Sequence, residues 1–365
     1  MPPRPSLFER ILTYESLQLH TASSGSVEGL QEAYLTLDYD GLIAASELRL
    51  NISYLTGVDA DAQRRMTRDA VARFPFSSDP EADRQMLEDF NLDPRSRTLL
   101  DAALVDAAAR IRGISAAALL GGPDGPPCHD TNQTLFRDSP DRVVARARAY
   151  MKRGYRSLKL RLGFGDPNAD LALMQRLRRA LGPDARLSGD VNGAWSLADT
   201  QRLLAPLAKL RPDYLEQPIP PGDLDAYVAL AEQSPFPIML DESLCDETTF
   251  NRVCDIRTPL LLHLKLVKAG GLDRVIEMSR KARASGHDVM IGQMNEGGLA
   301  TAAALSLAVA LRPRFAELYG ADGLTNDPAT GLLYSGGQVC SEEPVGIGAH
   351  LKVGAQLSCL SEIPL

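Results

Sequence analysis

Three carboxylates fall at nearly even spacing along the chain, Asp190, Glu216 and Asp241, and Lys265 follows at the same interval. Each closes a short apolar run, and the gaps are roughly 25 residues, one strand-plus-helix unit of a β/α barrel. A parallel barrel delivers the downstream ends of its strands to one rim, so evenly spaced acids become one converging cluster. Acids gathered there repel one another unless a divalent cation neutralises them, which points to a metal-dependent enzyme. All-oxygen ligation favours a hard cation, Mg²⁺ over Zn²⁺, with Mn²⁺ as the alternative.

Taken singly, each acid is ordinary. An Asp leading Asp190-Val-Asn192-Gly193 is commonly a turn former, and Asp241 would suit a cap for a helix near Thr248. Three caps have no reason to fall at three consecutive strand ends. Lys265, in Leu264-Lys-Leu-Val-Lys268, reads as a solvated lysine or as a base at the rim of a buried strand. In the second case desolvation and nearby charge are expected to lower its pKa. Lys159 and Arg161 are two apart in Leu158-Lys-Leu-Arg-Leu162, so a strand puts both on one face and the leucines on the other. Two cations inside a barrel mouth are costly unless something anionic binds there. A surface edge strand would show the same alternation.

The elements that must position these groups follow the same rhythm. Apolar runs at 134–136, 157–162, 186–189, 213–215, 237–240, 260–264, 289–292 and 315–318 make eight strand candidates. Helical segments over 140–153, 169–181, 197–210 and 272–285 separate most of them, and such alternation means a parallel sheet. The first third differs: strands are expected at 11–19, 32–39 and 44–50, with Asp40-Gly41 as a hairpin turn, then helices at 60–73, 80–89 and 96–111. The breaker-rich stretch Gly121-Gly-Pro-Asp-Gly-Pro-Pro127 marks a boundary. Residues 1–125 are thus expected to form an α+β domain, 126–320 a barrel, and 321–365 a segment returning to the first domain.

The bulk numbers fit that division. At 365 residues the chain suits one barrel plus a smaller domain, and 44% apolar with 24% charged residues is ordinary for a globular protein. A net charge of −8 argues against a nucleic-acid partner. Five scattered cysteines without CxxC spacing argue against disulfides or a thiolate zinc site and for a reducing cytoplasm. The first residues lack the apolar core of a signal peptide, and no run of 18 apolar residues is present, so no membrane association is expected.

The ordered series Asp190-x-Asn192, Glu216-Gln-Pro218, Asp241-Glu-Ser243 and Lys265-x-x-Lys268-x-Gly-Gly271 resembles the enolase superfamily, in its muconate-lactonising subgroup. Gly41-Leu-Ile-Ala-Ala-Ser-Glu47, Leu99-Leu-Asp-Ala-Ala-Leu104 and Gly292-Gln-Met-Asn-Glu296 extend the likeness over nearly the full length. The resemblance implies an α/β fold, a modified (β/α)7β TIM-type barrel under an N-terminal α+β capping domain. It also implies Mg²⁺ on Asp190, Glu216 and Asp241, a homo-oligomer, and removal of a proton next to a substrate carboxylate, with Lys265 as acid/base. Tyr54 and His20, in two capping loops around 20–26 and 51–57, would contact that substrate, as would Asn192, Glu296 and Glu317. His129 and His263 are expected to be structural.

Two departures bear on the reaction. The subgroup carries Lys-x-Lys where this chain has Lys159-Leu160-Arg161. Bringing a lysine near neutrality takes a drop of roughly 2–3 pH units, an arginine roughly 5–7, or about 7–9 kcal/mol. Arg161 is therefore expected to clamp an anion, with Lys159 as the other candidate base. Chemistry that one base can run follows as the leading expectation: a lyase or cycloisomerase. Racemisation or epimerisation of amino-acid derivatives or dipeptides is the alternative, and an inactive binding protein on the same fold is the alternative of another class. The second departure is Glu317-Leu318-Tyr319, standing where dipeptide epimerases carry Asp-x-Asp for the substrate ammonium. One carboxylate remains, leaving room for one positive nitrogen.

Overall fold

The computed structural model describes residues 1–15, 19–21, 25–351 and 361–363, without side chains at 19–21, 25–26 and 361–363. The chain opens with β1 (Arg4–Leu12), the short pair β2 (Leu19–Thr21) and β3 (Gly25–Val27), then β4 (Leu30–Tyr39) and β5 (Leu42–Arg49). β1, β4 and β5 form an antiparallel sheet. The β4–β5 hairpin turns on Asp40 and Gly41, both at positive φ, as a two-residue turn of the primed type requires. Strict alternation gives the sheet two different faces. Ala33, Leu35, Leu37, Ala44 and Leu48 pack on helices, while Tyr34 and Ala45 on the other face join the core of the second domain. The first strand lies at 4–12 rather than the expected 11–19, because only Leu7 and Leu12 of it are buried and its apolar signal is weak.

Five helices complete this region: α1 (Ser53–Thr56), α2 (Ala60–Arg73), α3 (Pro80–Met86), α4 (Pro94–Arg112) and α5 (Ala116–Leu119). α4 starts on the Asp93 side chain, which accepts from the Arg95 and Ser96 amides, and stops at the left-handed Gly113.

After the short β6 (Cys128–Asp130), strands and helices alternate. The strands are β7 (Gln133–Leu135), β8 (Ser157–Arg161), β9 (Arg186–Asp190), β10 (Leu215–Glu216), β11 (Ile238–Leu240), β12 (Leu261–Lys265), β13 (Asp288–Gly292) and β14 (Phe315–Glu317). The intervening helices are α6 (Pro140–Lys152), α7 (Pro167–Leu181), α8 (Leu197–Ala208), α9 (Leu224–Gln233), α10 (Glu247–Cys254), α11 (Leu266–Ala269), α12 (Leu272–Ala284) and α13 (Gly298–Leu311). The eight strands run in sequential order in one parallel sheet. At the seam the Asn132 amide donates to the Ala316 carbonyl at 3.1 Å, so the barrel nearly closes.

Inside the barrel the side chains stack in layers. Tyr214, Met239, Leu261, Met290 and Phe315 form an apolar floor. Two residues further along each of those strands the inward positions are Glu216, Asp241, His263, Gly292 and Glu317. One period of a strand thus converts an apolar floor into a polar chamber.

The last segment carries β15 (Ala329–Thr330), β16 (Leu332–Ser335), β17 (Gln338–Ser341), β18 (His350–Leu351) and β19 (Ser361–Ile363). β19 pairs with β1 in the first sheet, and β17 pairs with β6 at the start of the barrel. That register sets Cys340 opposite Cys128, and the two form a disulfide, which corrects the expectation of none. A separation of 212 residues hid the pair from spacing arguments. Cys245 and Cys254 are free thiols, and Cys359 lies outside the described residues.

Candidate active site

The strand ends carry the chemistry because the barrel aims them at one rim. Register pairing sets Arg161 beside Asp190 and Asp190 beside Glu216 on adjacent strands. Gln217, held at positive φ, uses its side-chain oxygen to accept from the Asp241 and Ser243 amides at 3.0 and 3.1 Å. Its nitrogen donates to Tyr227 and Ser243, so the Glu-Gln-Pro turn braces the loop that bears Asp241.

Four of the acids at this rim have a cation against them, Asp190, Glu216, Asp241 and Glu317. Lys159 Nζ lies 2.9 Å from Glu216 and 3.4 Å from Asp190, and it contacts Glu317. Arg161 is paired with Asp190 and reaches the Asn192 side-chain oxygen at 3.3 Å. Lys265 and Lys268 each donate to Asp241 at 2.6 Å. Four carboxylates therefore meet four side-chain cations, which corrects the expectation that only a divalent ion could relieve their repulsion. Desolvating this many charges gives little net stability, so the cluster is kept for what it does.

The proton affinities follow from those contacts. Burial pushes Asp190 up to about 6, against the pull of Arg161. For Glu216 and Asp241 burial is outweighed, by Lys159 and His263 in one case and by Lys265 and Lys268 in the other, and both are held low. Lys265 was expected to be lowered, and it is raised: burial disfavours its charge, but Asp241, Glu216 and Glu317 outweigh burial. Lys268 goes down, because burial and neighbouring Lys265 win there.

A small cavity of about 40 Å³ opens above the cluster, and its lining includes Tyr54, Arg161, Asn192, Glu242, Lys265 and Asn295. β8 and β12 are second and sixth of eight strands, so Arg161 and Lys265 face this space from opposite walls. A larger groove of about 660 Å³ runs outside, between residues 88–97 and helices α10 and α12, and touches Lys265 and Lys268 without Arg161, Asp190 or Asn192. The smaller cavity holds the convergent chemistry.

The other expected residues divide. Tyr54, in α1, lines the cavity; the His20 side chain lies outside the described residues. Lys159 is fully buried beneath the cavity and is not on its wall. Glu317 borders it, and its Oε2 is shared by Lys159 and Asn132. Glu296 is not on the wall either: its carboxylate curls back to accept from the Met294 amide at 3.0 Å.

His263, expected to be structural, has its Nδ1 2.8 Å from Glu216. Its position two residues before Lys265 was the available signal. Among the described residues, Glu216, Asp241 and His263 form a buried group whose ligand atoms all lie within 4.8 Å of one another. His263 Nε2 and Glu242 Oε2 are buried and have no hydrogen-bond partner among the described residues. Asp190 is turned to Arg161 and Lys159. Glu216 and Asp241 offer oxygen donors of the kind a hard divalent cation takes, and Asp190 stands outside the converging group in this structure.

Barrel, cap and rim together define a class: TIM-barrel enzymes that work on a small molecule at the downstream strand ends, beneath a capping domain. Residues 142–354 match the family model described as Enolase C-terminal domain-like, and the chain belongs to that family, within the enolase superfamily. It is 33% identical over 263 residues to the hydrophobic dipeptide epimerase of Roseobacter litoralis, covering 71% of this chain and 74% of that one. It is 30% identical to the N-succinylamino acid racemase of Thermus thermophilus, covering 75% and 73%. The dipeptide epimerase of Enterococcus faecalis, solved with Mg and the dipeptide L-Leu-L-Tyr, superposes with a TM-score of 0.86 at 25% identity, covering 96% and 99%. The chain is an enolase-superfamily enzyme, and these relatives back the racemase or epimerase alternative better than the lyase or cycloisomerase expectation. No helix among the described residues is long and apolar enough to cross a membrane.

Proposed function

We propose that the protein inverts the carbon next to a carboxylate in a dipeptide or an N-acylated amino acid. The observation that carries this reading is the placement of Arg161 and Lys265 on opposite walls of one cavity, above buried carboxylates. Lys265, once it has lost its own proton and the bond to Asp241 seen here, takes the α-proton from one face as the neutral amine. Arg161, fixed by Asp190 and Asn192, meets the other face, where it stabilises the enediolate and is the protonated group positioned to return a proton. Lys159 stays beneath, holding Glu216, Asp190 and Glu317 in place. Asp190, Glu216 and Asp241 would hold Mg²⁺, with His263 bonded behind Glu216 to orient it. When bound, Mg²⁺ supplies positive charge to the substrate carboxylate and competes with Lys265 for Asp241.

The Arg161–Asp190 pair favours a second reading, a one-base lyase or cycloisomerase, because the pair raises the proton affinity of a group already slow to give up a proton. Incubation in D₂O with Mg²⁺ and a panel of dipeptides, N-succinyl amino acids and muconates separates the two. Deuterated epimer or enantiomer supports inversion; retained configuration, elimination or lactone supports the second reading. Lys265→Met should lower α-proton exchange by at least about 100-fold. Exchange at the parental rate in that variant would refute the assignment of the base.

A further inference from the structure

A second cluster of charge lies between the capping sheet and the active-site wall, and it contains an anomaly. Glu32 of β4 is fully buried, and neither of its carboxylate oxygens has a hydrogen-bond partner among the described residues. Its cross-strand neighbours are Arg10 on β1 and Arg49 on β5, the latter also buried. Arg49 donates through Nε to Asn51 at 3.1 Å and through Nη1 to the Asn295 carbonyl at 3.0 Å, while its Nη2 has no partner among the described residues. An unused donor and two unused acceptors thus sit on adjacent strands of one face without bonding each other. Directly opposed residues in an antiparallel pair have Cβ atoms about 4.5–5.5 Å apart, so one guanidinium can serve either position. Leaving a buried carboxyl unpaired is costly and calls for an explanation.

The far end of this contact is the active-site wall. Asn295 lines the cavity between Arg161 and Lys265, and its side chain donates to the Tyr14 hydroxyl at 3.1 Å. Asn51, which anchors Arg49, is itself tied to the Gly29 carbonyl and the Gln31 amide. Arg49 thus ties the capping sheet to the cavity wall, beside the contact that Tyr14 makes with Asn295.

We propose that Arg49 is a positioning residue with two seats. In the first, seen here, it holds the Asn295 carbonyl and sets the wall formed by residues 293–295; in the second it turns to Glu32 and releases that wall for substrate entry or product exit. The inference rests on the cavity being the reaction site, but its test does not. Hydrogen–deuterium exchange at the amides of residues 294–297 reads the seat directly. Arg49→Lys keeps the charge and loses the fork, and should speed exchange there by about tenfold or more, with β8 and β12 unchanged. Glu32→Met removes the second seat and should slow the same amides. Glu32→Gln and Arg49→Gln serve if either first variant fails to fold.

On any substrate that turns over, Arg49→Lys should lower kcat/KM by about 10- to 100-fold, while Glu32→Met lowers kcat without raising KM. Opposite-signed exchange in folded variants is the expected pattern, and any other pattern overturns the assignment. If no substrate turns over, the exchange data still decide Arg49, and it is the proposed reaction that fails.

Discussion

Glu296 shows how a residue can belong to the family pattern and still stand off the cavity. Burial pushes its carboxyl from 4.5 up to about 7, against the pull of Arg49. Between those two values the folded chain keeps a proton that the unfolded chain has lost, so stability falls as pH rises through that window. Glu296→Gln removes the linkage. The variant should gain on the parent by up to about 3 kcal/mol between pH 4.5 and 7, read from urea midpoints at both pH values. A constant difference would refute the buried-proton account. At this scale the acids and Lys265 were legible, because each ends an apolar run and the rhythm repeats. Lys159 was half legible: period two gave its inward direction but not its depth, which depends on where the floor of the barrel lies. Glu296 was not legible, since its direction is set by a non-repeating turn. The charge state of Lys265 was not legible either, because it depends on how many carboxylates surround one amine.

Elements explain why particular small residues stand where they do. A Cβ on Gly292 of β13 would lie 2.0 Å from His263 Nε2 on β12, so only glycine leaves room for that imidazole in the chamber. Gly292→Ala should displace His263 from Glu216 and cost about 1–3 kcal/mol, measured as a shifted urea midpoint with an unchanged slope. An unshifted midpoint would mean that the ring has another place to go. All eight barrel strands were readable to within about two residues, because buried parallel strands are short apolar runs bounded by turns. α13 was missed because it is buried nearly all round and shows no polar face. The cross-chain pairing of β6 with β17, and the disulfide that follows from it, involve partners too distant for any local pattern.

Across the whole molecule, the balance of four acids against four cations lets the barrel fold with its rim neutralised. Mg²⁺ bound as proposed would compete with Lys265 and Lys268 for Asp241. Saturating Mg²⁺ should still raise Tm, since a ligand at 100 times its Kd stabilises by about 2.7 kcal/mol, and EDTA should reverse the shift. Asp241→Asn should abolish the response. An identical Tm with and without Mg²⁺ or Mn²⁺ would remove the case for a metal centre.

One of the side chains that join the cap to the barrel has a consequence beyond this chain. Glu47 of β5 accepts from the Leu299 and Ala300 amides at 3.0 and 3.1 Å, so a carboxyl of the cap satisfies free amides at the start of α13 in the barrel. A Cβ on Gly297 would fall 2.1 Å from the same carboxylate, so the fit is mutual. Grafting the cap of one relative onto the barrel of another is the obvious route to new selectivity. Such chimeras should fold only when the incoming piece carries an acid at this register, which makes Glu47 the first position to check when recombining members of the family.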